Sequence, residues 1–402
     1  MDSSSILEAE WLFVGLVAIA AIVALLTRRT NLPYSVALVL AGLALAALVP
    51  GADIEVSPEV ILTLLLPGLV FEAALKTDLG HLRPSAGAVT LLAVPGVLIT
   101  AAFVTVILHL ATGLDLSLAL VIGAMISATD PVAVIAIFRR VGAPSRLVAL
   151  VEAESLFNDG TGIVLFAIAV GAVSTPLDLG AGAVAFVMTI VVSGAFGAVA
   201  GFLASRIIAT VDDHLVELTI SLLAAYGTYL VAGYFHESGV IATVVAGIVI
   251  GSYGRRIGMS ARTEEALDTV WEFLAFLLTA LTFLLVGLAI SPGQLADAAW
   301  YIAWAFVAVT IGRAVVVYGL LGGASLLLRR DERIPTAWLH VVFWAGLRGA
   351  VATALALSLP LDLPQRDLLA GTVFGVVVLT LLIQGTTAWM VIRRAGVVEG
   401  SP

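Results

Sequence analysis

Apolar segments, each about as long as a membrane is thick, follow one another along this entire chain. Hydrophobic residues make up 61% of its 402 residues, and charged residues only 12%. A soluble domain carries about 25% charged residues, so most of this surface must face lipid. Because a helical span needs about 20 apolar residues, there is room for about a dozen spans. The sequence therefore predicts a single all-α integral membrane domain, 1–402.

The composition also excludes several classes of chemistry. The chain has no cysteine, so disulfides and thiolate sites are absent. No basic region precedes the first apolar run, as it would in a secretory signal peptide. No Gly-rich nucleotide loop and no H-E-x-x-H motif occur. We therefore expect no cofactor, no nucleic-acid partner and no enzymatic activity, and the lipid bilayer is the predicted environment.

Clusters of charge, glycine and proline divide the chain into thirteen predicted helices. Their predicted ranges are 11–27, 33–49, 58–76, 86–110, 115–138, 147–173, 180–208, 215–235, 238–253, 266–290, 295–328, 336–359 and 367–392. The division is least distinct at Glu237 and between Pro50 and Pro58.

The distribution of basic residues supports an odd number of spans. With thirteen helices, 16 of the 19 basic residues fall in loops on one side of the membrane. Only Arg366 falls on the other side, while Arg313 and Arg348 lie inside helices. Basic loops stay on the cytoplasmic side. The pattern therefore predicts a multi-pass protein of the cytoplasmic membrane with an outside N-terminus and a cytoplasmic C-terminus.

Thirteen helices can be arranged as two repeats of six around a linker helix. The repeats would span 11–173 and 215–392, and the linker would span 180–208. The fifth helix is interrupted at Thr129-Asp130-Pro131, and the twelfth helix, seven spans later, at 346–349. Interrupted helices at corresponding positions of inverted repeats indicate a transporter binding site.

Pro131 explains the first interruption. It lacks an N–H, clashes with the carbonyl of Ser127 and disfavours the helical conformation at Asp130. Unpaired backbone is tolerated at this depth only where it lines a cavity or is buried in protein. Thr129 and Asp130 are therefore candidate cation ligands. The alternative is a proline kink in which Asp130 caps the following half-helix, and the two roles are compatible.

The sixth predicted helix carries polar groups at a depth where charge is costly. Ser155 and Asp159 are four residues apart and share one face, and Glu154 and Asn158 share another. Hydroxyl and carboxylate oxygens are hard ligands that suit a small cation such as sodium. The sequence therefore predicts an ion-facing side and a supporting side on this helix.

Asp159 is the best candidate for the exchanging group. Burial favours the protonated carboxyl, and a bound cation favours the carboxylate, so cation and proton compete for one site. Exchange follows if the loaded forms cross the membrane and the empty charged form does not. The alternative for Asp159, and for Glu154, is a structural acid in a buried ion pair.

Three further charged residues need partners or a role. Arg313 and Arg348 lie within predicted spans, where an unpaired cation is expensive. We favour a pair between Glu154 and Arg313, and a role for Arg348 at the helix interruption. Glu72 lies near the inner end of the third helix, where it either lines the cytoplasmic entrance or reaches the membrane surface as an interfacial acid.

These residues and their order resemble the monovalent cation-proton antiporters of the NhaP type, the prokaryotic relatives of animal sodium-proton exchangers. The matching stretches are Ser127–Ala133 (SATDPVA), Glu154–Gly162 (ESLFNDGTG), Trp271–Gly287 (WEFLAFLLTALTFLLVG), Gly312–Tyr318 (GRAVVVY), Gly346–Val351 (GLRGAV) and Ile383–Thr387 (IQGTT).

The resemblance implies a thirteen-helix inverted-repeat fold and a homodimer. It implies that Thr129, Asp130, Ser155 and Asp159 surround the cation. Asn158 and Glu154 would support the site, Glu72 would lie near its inner access path, and the Glu154–Arg313 pair is favoured. An Asn-Asp pair at 158–159 is the family's mark of electroneutral exchange, whereas electrogenic relatives carry two aspartates.

The resulting hypothesis is electroneutral exchange of one sodium or lithium ion for one proton by alternating access. Potassium-proton exchange on the same scaffold is the nearest alternative, because oxygen ligands alone do not determine ion size. An intramembrane aspartyl protease built on Asp130 and Asp159 is a remote alternative. The sequence lacks the GxGD signature of the known membrane aspartyl proteases. A passive channel would show a conductance that an antiporter lacks.

Overall fold

The computed structural model describes residues 3–28, 32–48, 59–77, 79–175, 178–327 and 333–397. Every regular element among these residues is helical, as the composition predicts. The predicted loop at Pro50 to Pro58 lies outside the described residues. So do Arg29, Arg329 and Arg330, which contribute to the predicted charge asymmetry.

Thirteen membrane segments follow in the predicted order, and we number them α1 to α13. They are α1 (Ser3–Thr27), α2 (Tyr34–Leu48), α3 (Val60–Leu75), α4 (Arg83–Thr112), α5a (Leu116–Ser127) with α5b (Val132–Val141), α6 (Ser145–Ser174), α7 (Leu179–Ile208), α8 (His214–Tyr234), α9 (Gly239–Gly258), α10 (Ala261–Leu288), α11 (Ala299–Leu326), α12a (Thr336–Trp344) with α12b (Ala350–Leu357), and α13 (Arg366–Arg394).

Ten of these segments are long and apolar enough to cross a membrane by length and composition. The helices α2 and α3 are shorter apolar segments, and α12 is divided into two half-helices. Four segments contain a wide π-type turn. These turns are Val60–Leu65, Ile250–Gly254, Val315–Leu321 and Leu381–Gly385.

Some predicted boundaries are wrong by several residues. The first helix begins at Ser3 rather than 11, and the tenth begins at Ala261 rather than 266. In the tenth, the side chain of Ser260 accepts a hydrogen bond from the N–H of Thr263 and caps the extra turn. Hydropathy marks the part of a helix that crosses lipid, whereas capped polar turns extend the helix beyond it.

Close helix pairs are made through glycine. Gly42 on α2 and Gly287 on α10 face each other, and a Cβ at either position would meet the backbone of the opposite helix. Gly197 on α7 lies in the same way against the backbone of α9 at Ala242. Packing through small residues is how membrane helices approach closely in the absence of a hydrophobic driving force.

Both predicted interruptions are present, and they meet. Between α5a and α5b, residues 128–131 are not helical, and between α12a and α12b the same holds for 346–349. The backbone N–H of Asp130 donates to the carbonyl of Leu347 at 2.8 Å. The two broken helices therefore cross at their breaks, and α6 passes beside them.

Candidate functional site

One carboxylate joins the two interruptions. Oδ1 of Asp130 accepts a hydrogen bond from the N–H of Val132 at 3.2 Å, at the start of α5b. Its Oδ2 accepts from the N–H of Ala350 at 3.2 Å, at the start of α12b. A carboxylate is favourable at a helix N-terminus because it satisfies free N–H groups and faces the positive end of the helix dipole. Asp130 therefore has the capping role considered from the sequence, for two half-helices rather than one.

Two side chains of α6 form hydrogen bonds with the interruption of α5. Asn158 donates through Nδ2 to Oγ1 of Thr129 at 2.8 Å, and its Oδ1 accepts from the N–H of Thr129 at 3.3 Å. Ser155 donates its hydroxyl to the carbonyl of Thr129 at 2.8 Å. All three polar groups of Thr129 are thus engaged by residues of α6, one turn apart.

Asp159 differs from every other acid of this region. Its side chain is only partly buried, and among the described residues no protein hydrogen bond or ion pair reaches its carboxylate. It lies within electrostatic range of Asp130. Asp159 is therefore accessible and unpartnered beside a carboxylate that two helix ends already stabilise.

Burial separates the predicted site residues into two sets. Thr129, Glu154 and Asn158 are buried, with exposures of 1–3%. Asp130, Ser155 and Asp159 are partly exposed. The sequence assigned Ser155 and Asp159 to one side of α6, and these two are the partly exposed members of the site on that helix.

Glu154 forms the predicted ion pair with Arg313, which comes from α11. Arg313 donates through Nη1 to Oε1 of Glu154 and through Nη2 to Oε2 at 3.0 Å. The same Nη2 also donates to the carbonyl of Val342 on α12a at 2.7 Å. Both side chains are almost fully buried, so the pair ties α6, α11 and α12a together in a medium where an unpaired charge is costly.

Arg348 lies in the interruption of α12 and is 1% exposed. Its Nη1 donates to the carbonyls of Gly346 at 3.0 Å and Leu347 at 3.4 Å, and its backbone N–H donates to Oγ1 of Thr380 at 3.1 Å. It lies within electrostatic range of Arg313 and Glu154. The guanidinium thus satisfies backbone carbonyls that the broken helix leaves free.

Glu72 lies apart from this network. Its Oε1 is 2.7 Å from Nζ of Lys76, one helical turn later and just after the end of α3. The structure therefore brings together eight of the nine predicted site residues around the crossing and places Glu72 at a separate charged group.

Sequence reasoning missed several partners. The backbone groups of Leu347 and Ala350 carry no side-chain signal, and the hydroxyl of Thr380 acts from α13. Lys76 could have been found, because it stands four residues after Glu72, a spacing at which opposite charges pair on a helix.

Known proteins match this chain over almost its full length. The family described as "Sodium/hydrogen exchanger, transmembrane" matches residues 16–394. The Na(+)/H(+) antiporter ApNhaP of Aphanothece halophytica is 40% identical over 377 residues, which cover 92% of this chain and 70% of that protein. The Na(+)/H(+) antiporter NhaH of Halobacillus dabanensis is 35% identical over 397 residues, covering 95% and 97%.

A solved structure supports the fold. The sodium proton antiporter MjNhaP1 from Methanocaldococcus jannaschii superimposes with a TM-score of 0.76, over 97% of this chain and 99% of that chain, at 18% sequence identity. Because the identity is low, this likeness concerns the architecture. The family match and the two relatives of 40% and 35% identity establish the classification: the chain belongs to the transmembrane sodium/hydrogen exchanger family.

Proposed function

We propose that this protein is a secondary active antiporter that exchanges sodium, or lithium, for protons across the cytoplasmic membrane. The observation that carries the proposal is the state of Asp159, an accessible carboxylate without a protein partner next to two crossed helix breaks. The family membership and the names of the relatives support sodium and protons as the exchanged ions.

In the proposed mechanism, cation and proton compete for Asp159. The cation binds the Asp159 carboxylate together with oxygens of Asp130, Ser155 and Thr129, and leaves when a proton takes its place. The two helix N-termini that donate to the oxygens of Asp130 favour its ionised form, against the cost of burial. Asp159, without such donors, is the group whose charge changes during the cycle.

We also propose that the exchange is electroneutral, one cation for one proton. Asn158 is an uncharged residue next to Asp159, where an aspartate would add a second charge. Its amide oxygen and its amide nitrogen both form hydrogen bonds with Thr129. With one positive charge moving each way, the membrane potential does no work on the cycle. A cycle with one net charge would gain about 2.3 kcal/mol per 100 mV.

The proposed architecture is one transporter domain, 1–402, with repeats 11–173 and 215–392 around the linker helix 180–208. The protein would be a homodimer with an outside N-terminus and a cytoplasmic C-terminus. In alternating access, the bundle that carries the crossed breaks would move as a rigid body and expose the site to either side. The ion pair of Glu154 and Arg313 favours such rigidity, because it joins three helices of that bundle.

The alternatives differ in what they require of the same residues. A protease would need Asp130 and Asp159 to share one proton between them. Asp130 instead accepts a backbone N–H from a helix start at each oxygen, and these donors favour its ionised form over a shared proton. Potassium-proton exchange requires the same donors in a larger cavity, so ion substitution distinguishes it from sodium exchange.

The test is proton flux in vesicles containing the purified protein. Sodium should drive proton movement in the wild type, potassium should not, and an imposed potential should leave the rate unchanged. Asp159→Asn should abolish the flux, whereas Asp367→Asn, at an exposed position on α13, should retain it. Sodium-driven flux in Asp159→Asn would remove this residue from the centre of the mechanism, and a current in the wild type would refute electroneutrality.

A further inference from the structure

A second group of charged side chains lies at the end of α3, apart from the crossed helices. Nζ of Lys76 is 2.7 Å from Oε1 of Glu72 and 3.8 Å from Oε2 of Glu272, which belongs to α10. The side chains of Lys76 and Glu72 are 28% and 16% exposed, and that of Glu272 is 71% exposed. The Lys76–Glu72 contact is thus the tighter and the more shielded of the two.

A second acid approaches this pair from the helix that carries the proposed site. Glu152 of α6 lies within electrostatic range of Glu72 and Lys76. Its Oε1 is 3.8 Å from Nη2 of Arg139, at the end of α5b. Among the described residues, these contacts bring three acids, Glu72, Glu272 and Glu152, near Lys76, and Arg139 lies beside Glu152. Within this described group the acids outnumber the bases.

The geometry of α6 connects this group to Asp159. Glu152, Ser155 and Asp159 are spaced i, i+3 and i+7, so they lie on one face of a continuous helix. At 1.5 Å per residue, Glu152 and Asp159 are about 10.5 Å apart along the axis. A stripe of oxygen-bearing side chains therefore leads from the Lys76 group toward the unpartnered carboxylate.

The side of the membrane follows from the basic loops. The Lys76 group lies at the end of α3 that is followed by Arg83, and at the end of α5b that carries Arg139 and Arg140. These residues belong to the basic loops that predict the cytoplasmic side. On this orientation the group lies on the cytoplasmic side of Asp159 along α6, where a cation arriving from the cytoplasm would meet it first.

We propose that Lys76 limits the cation affinity of the exchanger: its ammonium is a tethered competitor that occupies Glu72 and lowers the apparent affinity for cations entering from the cytoplasm. The inference rests on the proposed function. An entering sodium ion would displace the ammonium from Glu72, and Lys76 would turn toward Glu272 or Glu152. Because the ammonium stands on the entry path and not at Asp159, its effect is limited to one side.

The competing explanation is that Lys76 only stabilises the last turn of α3. An ion pair at i,i+4 adds about 0.2–0.5 kcal/mol to a helix, and its loss would leave the cation affinity unchanged. Sidedness separates the two explanations, since a purely structural defect has no reason to change affinity from one side only.

The experiment measures the KM for sodium in everted membrane vesicles, which expose the cytoplasmic face, and in right-side-out vesicles. Lys76→Gln should lower the KM about threefold on the cytoplasmic side, the effect expected when a partly exposed ion pair of about 0.6 kcal/mol no longer competes. The KM on the outer side should stay unchanged. Lys76→Met, a second neutral variant, should behave as Lys76→Gln, and Lys76→Arg should keep the wild-type value.

Two controls define the origin of the effect. Asp367→Asn removes the exposed partner of Arg366, which the basic-loop pattern assigns to the outer side, and should leave both KM values unchanged. In a Glu72→Gln background, Lys76→Gln should not lower the cytoplasmic KM further, because residue 72 then has no carboxylate for the ammonium to occupy.

The outcomes separate this inference from the proposed function. If the wild type shows no sodium-driven proton flux, the proposed function is wrong. If the wild type exchanges sodium but Lys76→Gln leaves the cytoplasmic KM unchanged, raises it, or changes it equally on both sides, Lys76 is no competitor.

Discussion

Ala350 donates its backbone N–H to Oδ2 of Asp130 at 3.2 Å, across 220 residues of sequence. The other oxygen of the same carboxylate accepts from Val132. One acid therefore stabilises the N-termini of two half-helices that belong to different halves of the chain. This arrangement keeps the crossing intact while leaving the neighbouring Asp159 without a protein donor.

Asp130→Ala should destabilise the protein and abolish exchange. A buried N–H left without an acceptor costs about 1–3 kcal/mol, and the variant leaves the N–H of Ala350 in that state. Asp130→Asn should be intermediate, because its amide offers one acceptor oxygen instead of two. Thermal melting of the purified protein in detergent measures the loss. Asp178→Asn is the matched control, since Asp178 caps the exposed start of α7 and should change the melting temperature little.

Ser155→Ala should raise the KM for sodium by about tenfold, equivalent to about 1.4 kcal/mol. The change removes a proposed ligand oxygen one helical turn from Asp159 and leaves the carbonyl of Thr129 without its donor. Initial rates of sodium-driven proton flux give the KM. Thr161→Val serves as the control, because Thr161 donates to Phe157 within α6. A KM in Ser155→Ala within twofold of the wild-type value would exclude the hydroxyl from the ion site.

Glu154→Gln should lower the stability by about 3–5 kcal/mol, because it leaves the buried Arg313 cation without its bidentate partner. The double change Glu154→Leu with Arg313→Met should cost much less, since no charge remains buried. Thermal melting of the three proteins measures the coupling. Asp268→Asn, at the more exposed Arg255 pair, should cost less than about 1 kcal/mol. Equal destabilisation of the single and double variants would contradict the coupling.

Gly349→Ala should reduce exchange by more than about tenfold. A Cβ at this position would lie 2.6 Å from Cγ and 2.7 Å from Cβ of Asp130, so the carboxylate must move away from the two helix ends. Transport assays in vesicles check the loss. Gly171→Ala on α6, where no atom lies within 4 Å of the added Cβ, should stay active and gain up to about 1 kcal/mol in stability. An active Gly349→Ala protein would show that Asp130 is not needed in this position.

Much of the fold could be predicted because its causes are local. The length and apolarity of each segment depend only on that segment, and so do the breaks at Thr129-Asp130-Pro131 and at Gly346 to Gly349. The helix boundaries were less predictable. Polar turns such as the one capped by Ser260 stay helical outside the lipid, and hydropathy does not register them.

The site was predicted as a set of residues, together with the Glu154–Arg313 pair, but the partners of Asp130 and the lack of one at Asp159 were not. Asp130, Glu154 and Asp159 are all carboxylates in apolar surroundings, and the sequence leaves each of them as ligand or structural acid. The partners that separate them are distant in sequence, such as Arg313, 159 residues from Glu154. Lys76 is the opposite case, since its partner Glu72 is local, whereas the approach of Glu152 and Glu272 required the structure.

The sequence by itself determined that this chain is a membrane transporter of crossed, interrupted helices, because hydropathy, proline and basic-loop patterns act within single segments. Only the tertiary structure decided which acid caps two helix ends and which lacks a protein partner among the described residues. The deciding contact joins residues far apart in the chain, as between Asp130 and Ala350, so no single segment contains both partners.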